Sequence, residues 1–142
     1  MSGCLSGRIE LYAISADPAA GFSLPSTLFC KMPDEYVIVL TTLPADADAI
    51  DFARTLVTER LAACIHVPAE MTSVYWWEGE LSQDVERQLV IKTTRARVGA
   101  LWERLRDLHQ YDVPEFVVLP IIDGSDVYLR WIGESTAEER PT

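Results

Sequence analysis

Two small sets of residues carry types and spacing suited to chemistry. Cys64 and His66 stand two apart in LAACIHV, a run of strand character, so both side chains leave the same face. A thiolate beside an imidazole is a donor pair suited to copper or zinc, and it needs further ligands from elsewhere. The competing use is structural, a small buried thiol next to a hydrogen-bonded histidine. The second set is His109, Tyr111 and Glu115 in HQYDVPEF, with Lys92 at the end of an earlier strand. An imidazole, a phenol, a carboxylate and an ammonium do acid–base work if they converge. Otherwise His109 complements a helix C-terminus, and Tyr111 and Pro114 pin a turn. An aromatic patch, Tyr75, Trp76 and Trp77, lies beside Glu78, Glu80 and Glu86. It suits a cation or ligand site or packing between subunits. No glycine-rich phosphate loop, nucleophile elbow or HExxH motif occurs.

The elements that must position these groups centre on residues 61–94. Two β-rich runs flank Glu78-Gly79, a turn signal. The first run ends in Val74-Tyr75-Trp76-Trp77. The second alternates Val85, Arg87, Leu89 and Ile91 against Glu86, Gln88, Val90 and Lys92. The arms exceed an ordinary strand of about 5–6 residues, so the ribbon is expected to reach past its own domain. Pro68 cannot donate to the ladder and predicts a bulge or kink. Cys64 and His66 fall opposite Ala63, Ile65 and Val67, the core side, and so face the open side of the sheet.

Upstream, YVIVLTT over residues 36–42 reads as a buried strand. A helix is expected over residues 45–60, opened by Pro44, with Ile50, Ala53, Leu56, Val57 and Leu61 on its buried face. Downstream, Val98, Leu101, Trp102, Leu105 and Leu108 form the stripe of a second helix, with Thr94 as its N-cap. Residues 116–122 read as a last buried strand, and Val127, Tyr128, Trp131 and Ile132 as a short closing helix. The order is βαββαβ plus a helix: an α+β, ferredoxin-like plan with two helices on one face of an antiparallel sheet. The first and last strands are apolar on both sides, and no spare segment is evident to cover the second face. A further copy of the chain is the expected cover.

Bulk properties narrow the class. The 142 residues fit one domain of residues 34–133, with an extension over 1–33 expected to be mobile and a polar tail over 134–142. The net charge of −10, from 12 basic and 22 acidic residues, argues against a nucleic-acid partner. No apolar run suits a membrane span. Cys4, Cys30 and Cys64 form no CxxC pair, and with no secretion signal they point to reduced thiols and a cytoplasmic location.

Taken together, TTLP at 41–44, ERLAAC at 59–64, SVYWWEGEL at 73–81, VIKTT at 90–94, HQYDVPEF at 109–116 and YLRWI at 128–132 resemble the CutA family, the divalent-cation tolerance proteins. The pieces occur in family order across residues 34–133. The resemblance implies a homotrimer of ferredoxin-like subunits, similar in architecture to the PII signalling proteins, with long hairpins joining sheets between neighbours. It implies binding of copper or another divalent cation in metal tolerance, with no organic cofactor and no established enzymatic activity. Carried over residue by residue, it marks Cys64, Tyr75, Trp76, Glu86, Lys92, His109, Tyr111, Pro114 and Glu115 around a cleft between subunits. Cys64, His109, His66 and Glu115 are the candidate metal ligands; Tyr75, Trp76, Glu86, Lys92, Tyr111 and Pro114 are the candidate cleft residues. Two positions depart from the family. His109-Gln110-Tyr111 replaces His-Pro-Tyr, with a looser turn expected, and His66 replaces a small polar residue, often Asn, a change that either strengthens metal binding or has no effect on it. The rival readings are a PII-like small-molecule sensor and an enzyme using Glu115, His109 and Lys92. An open pocket ringed by convergent polar groups would favour either rival over a plain metal binder.

Because the resemblance begins at Asp34, just after Met32, residues 1–31 are expected to be dispensable. A chain starting at Met32 should keep the oligomeric mass and melting temperature of the full chain, as light scattering and calorimetry would report. Loss of several degrees would make the extension structural.

Overall fold

The computed structural model describes residues 35–138. The extension expected over 1–33, with Cys4 and Cys30, lies outside the described residues, as do residues 139–142. The chain runs β1 (Tyr36–Pro44), α1 (Ala49–Thr58), β2 (Cys64–His66), β3 (Met71–Trp77), β4 (Glu80–Thr94), a 3-10 turn (Arg95–Arg97), α2 (Val98–Leu108), β5 (Val117–Pro120) and α3 (Asp126–Ser135). All strand pairs are antiparallel, in the order β2-β4-β1-β5 with β3 also on β4. This is the expected α+β, ferredoxin-like arrangement.

β4 is the spine. Its 15 residues pair β1 from Glu86 to Thr94, β2 from Val90 to Lys92 and β3 from Glu80 to Glu86. The first hairpin arm is therefore β2 and β3 in succession, broken at Pro68. Four residues, 67–70, face only three, 87–89, between the pairs His66↔Val90 and Met71↔Glu86. One extra residue against the partner strand is a bulge, as the missing proline N–H led us to expect. At the tip, Glu78 (φ 50°) and Gly79 (φ 83°) both have positive φ between the paired Trp77 and Glu80. That is the backbone of a two-residue type I′ turn, which matches strand twist.

Period two sorts the sheet. Val37, Val39, Thr41 and Leu43 of β1 and Leu89, Ile91 and Thr93 of β4 are almost fully buried, packing toward α1 and α2 with Leu56, Leu101 and Leu105. Thr93 Oγ1 donates to Leu61 O at 2.8 Å and ties the end of α1 to the sheet.

Several sequence expectations are corrected here. Pro44 ends β1 rather than opening a helix, and α1 starts five residues later at Ala49, after Asp48, whose Oδ1 accepts from Asp51 N at 2.9 Å. An N-cap carboxylate that satisfies a free amide outweighs a proline whose φ suits strand and helix alike. The buried face of α1 is Ala49, Phe52, Ala53 and Leu56, while Ile50 and Val57 lie outside it. Thr94 makes no capping bond; a 3-10 turn intervenes before α2. β5 is a half-exposed edge strand, with Val117 and Leu119 turned away from the core.

The second face of the sheet is not wholly bare. Leu129 and Ile132 of α3 pack with Ala63, Tyr36 and Ile121, and Lys92 Nζ donates to Tyr128 Oη at 3.0 Å. α3 continues to Ser135 rather than giving way to a tail at Glu134, and Arg97 Nε holds its end by donating to Thr136 O at 2.6 Å. What α3 leaves uncovered on this face is Val117 and Leu119 on β5, beside Leu40 and Ile38. On the outer hairpin Val74, Trp76, Leu81 and Val85 form a stripe, all at least half exposed, on the face opposite Tyr75, the face that continues the core side of β4.

Asp48→Ala should destabilise the chain by about 1 kcal/mol, with strand and helix content unchanged. Denaturant unfolding read by circular dichroism checks this; no change would mean that water caps α1 equally well.

Candidate functional site

The connection from α2 to β5 wraps the end of the sheet, and His109 fixes its course. Its φ of −83° and ψ of 143° end α2 in extended backbone. Nε2 lies 2.7 Å from Thr42 O and Nδ1 3.0 Å from Tyr111 N. A carbonyl only accepts, so Nε2 carries the proton and donates to Thr42, and Nδ1 accepts from the Tyr111 amide. The ring stands edge-on to Phe52. Burial lowers the His109 pKa from its ordinary value, outweighing the opposing pull of Thr42 O and Glu86. His109 is thus a neutral clasp between β1 and the turn. Protonating Nδ1 would set an N–H against the Tyr111 N–H.

That clasp places Tyr111 against β4. Its hydroxyl donates to Glu86 Oε1 at 3.0 Å. Glu86 is only 7% exposed, a carboxylate held at the point where β4 passes from β1 to β3. Burial, with Glu86 next, pushes the Tyr111 phenol up to about 12. Across the hairpin, the Tyr75 hydroxyl donates to Asp84 Oδ2 in a short hydrogen bond, which raises the Tyr75 pKa. Gln88 Nε2 lies 3.5 Å from both Glu115 oxygens.

Between hairpin and turn lies a cleft of about 750 Å³. Its floor is Thr42, Met71, Ser73, Tyr75, Trp77, Glu86 and Gln88; its wall is residues 110–115. That volume is in the range of small-molecule sites. Of the residues carried over from the family, the cleft gathers Tyr75, Glu86, Tyr111, Pro114 and Glu115. Trp76 is not among them: strand alternation sends it to the opposite face, where it is 72% exposed, and brings Trp77 into the cleft instead. Lys92 also stands outside the lining, farther along β4, with Nζ 3.4 Å from His66 Nε2 and over the Tyr128 ring. Cys64 pairs with Lys92 across the ladder and is a free thiol. Cys64 and His66 do share one face, as expected. They are not joined by His109 and Glu115: among the described residues, no three His, Cys, Asp or Glu side chains gather as a metal-holding group.

Gln88, Ser73, Thr42 and Asp112 were not picked out from sequence. Gln88 was legible in principle, being two residues from Glu86 on the same strand. Met71 and Ser73 required the bulge at Pro68 to be placed to the residue.

The lowered His109 pKa sets a pH dependence. Its contribution to stability is complete above the unfolded-state pKa of about 6.5 and is lost as pH falls from there through the folded value. Melting temperature should therefore fall more steeply below about pH 6.5 in the wild type than in His109→Gln. Parallel slopes would show that His109 is not held neutral by the fold.

Comparison with known proteins accords with this geometry. The family model for the CutA1 divalent ion tolerance protein matches residues 37–135. The divalent-cation tolerance protein CutA of Thermus thermophilus is 46% identical over 99 residues, covering 70% of this chain and 96% of that protein. A CutA homologue of Xenopus laevis is 42% identical over 115 residues, 78% of this chain and 76% of its own length. Among solved structures, CutA1 of Oryza sativa superposes with a TM-score of 0.70 at 39% identity, covering 74% of this chain and 96% of that one. The chain belongs to the CutA family of divalent-cation tolerance proteins.

Proposed function

We propose that the protein acts as a homotrimer that binds a divalent cation, copper foremost, and serves metal tolerance in the cytoplasm without catalysing a reaction. The observation that carries this reading is the match to the tolerance family across residues 37–135. Assembly is supported by the uncovered apolar surface: Val74, Trp76, Leu81 and Val85 on the hairpin and Val117 and Leu119 on the edge strand. Exposed apolar patches of this kind mark protein contacts. Of the candidate ligands, Cys64 and His66 are the better placed, since His66 can exchange its contact with Lys92 for an ion. His109 would first have to release the Tyr111 amide, and Glu115 stands at the cleft with Gln88. Two donors on one chain leave the remaining ligands to neighbouring copies.

A second reading, a PII-like sensor with a small molecule in an inter-subunit cleft, is favoured by one feature: polar groups converge on an open cleft of about 750 Å³. The enzymatic version draws less support, because Lys92 and His109 do not line that cleft.

Native mass spectrometry of the purified protein should give three times the chain mass of 15.9 kDa, and a monomer would contradict the assembly. Trp76→Asp should shift that mass toward the monomer while leaving the core folded. Calorimetric titration with copper should show weaker binding in Cys64→Ser and His66→Asn than in the wild type. Equal affinity in both would remove this pair from the site.

A further inference from the structure

We propose that the cleft recognises an organic cation, an ammonium or guanidinium group carried on a short apolar chain. This rests on the reading of the cleft as a small-molecule site and names the chemistry of its occupant. Glu86, Asp112 and Glu115 line the cleft, and among the described residues no lysine, arginine or histidine does. The site is more than an acidic patch, because Glu86 is over nine-tenths buried. Its Oε1 accepts from Tyr111, and its Oε2 is not among the buried atoms left without a partner, so that oxygen keeps contact with solvent. A carboxylate so largely withdrawn from water, with one oxygen still open, gains from a second, charged partner. A donor cation entering the cleft supplies that partner with a charge-assisted hydrogen bond.

The walls point the same way. Tyr75, Trp77 and Tyr111 bring aromatic rings to the lining, and ring faces attract ammonium and guanidinium groups. Both tyrosine hydroxyls spend their protons on carboxylates, Tyr75 on Asp84 and Tyr111 on Glu86. Their oxygens can therefore only accept from a ligand. Acceptors outnumber donors around the cleft, so a donor-rich ligand fits and an anion is repelled. A bare metal ion fits less well: the carboxylates are spread around an aromatic-walled space rather than gathered to one point. A cation several atoms long can reach buried Glu86 with its charged head and leave its chain against Trp77.

The test uses agmatine as the probe, with pentanoate and pentanol as the anionic and neutral counterparts, added to the purified full-length protein. Calorimetry and tryptophan fluorescence read binding. Agmatine should bind saturably, one per chain, with Kd below about 1 mM. Pentanoate should not bind, and Glu86→Gln should weaken agmatine at least about tenfold, the loss of one charge-assisted bond. Glu115→Gln, at the half-buried side of the cleft, provides a variant less prone to misfold and should weaken agmatine by a smaller factor. Pentanoate or pentanol binding as tightly as agmatine, or agmatine binding unchanged in both variants, overturns the cation assignment and leaves the small-molecule reading standing. No binding by any of the three probes overturns both.

Discussion

The structure depends on one strand being paired unequally along its length. From Glu86 onward β4 has a partner on each side, β1 throughout and β2 over part of the stretch. From Glu80 to Val85 its partner among the described residues is β3 alone. The first half of the bargain is a core: Leu89, Ile91 and Thr93 are fully buried. The second is an isolated two-stranded ribbon, a form that is at best marginally stable in water. Among the described residues its outer edge has no strand partner, a row of open backbone donors and acceptors, and its outward face carries Trp76 and Leu81. The ribbon keeps its shape through the type I′ turn at Glu78-Gly79 and the Tyr75–Asp84 hydrogen bond. It lacks burial, which further copies of the chain would supply.

The cleft is a consequence of the same strand. Glu86 sits where β4 changes partners, so the hairpin begins to leave the domain at the residue that Tyr111 reaches. The turn that carries Tyr111 is anchored by His109 to Thr42, on the neighbouring strand. Sheet, turn and hairpin thus meet at a buried carboxylate. The usual reason to keep such a group is that something pairs with it. Cys64 and His66 lie on the same side of the sheet but farther along β4, next to Lys92 and α3. The donor pair and the cleft are therefore separate in this chain.

What was legible in the sequence was local. The Glu78-Gly79 turn, the alternation along β4 and the interruption at Pro68 each follow from one residue type with one backbone consequence, and the structure has all three. The core stripe of α2 was legible for the same reason, through Leu101 and Leu105. What was missed was decided at a distance. Pro44 suits both a strand end and a helix start, and the Asp48 cap decided between them. The short α3 is amphipathic in any setting, and only packing shows that Leu129 and Ile132 take the second face of the sheet. Trp76 and Trp77 are indistinguishable by type. Their roles separate once the register against Leu81 and Glu80 is known.

In the proposed assembly the outer hairpin is not a free ribbon in solution but is buried by copies of the same chain. Amide hydrogen exchange read by mass spectrometry tests it directly, at micromolar protein and neutral pH. The account predicts that residues 71–85 exchange slowly, with protection approaching that of β1, and that dilution to the point of dissociation releases them together. Exchange of those amides within seconds at every concentration, while β1 stays protected, would contradict it.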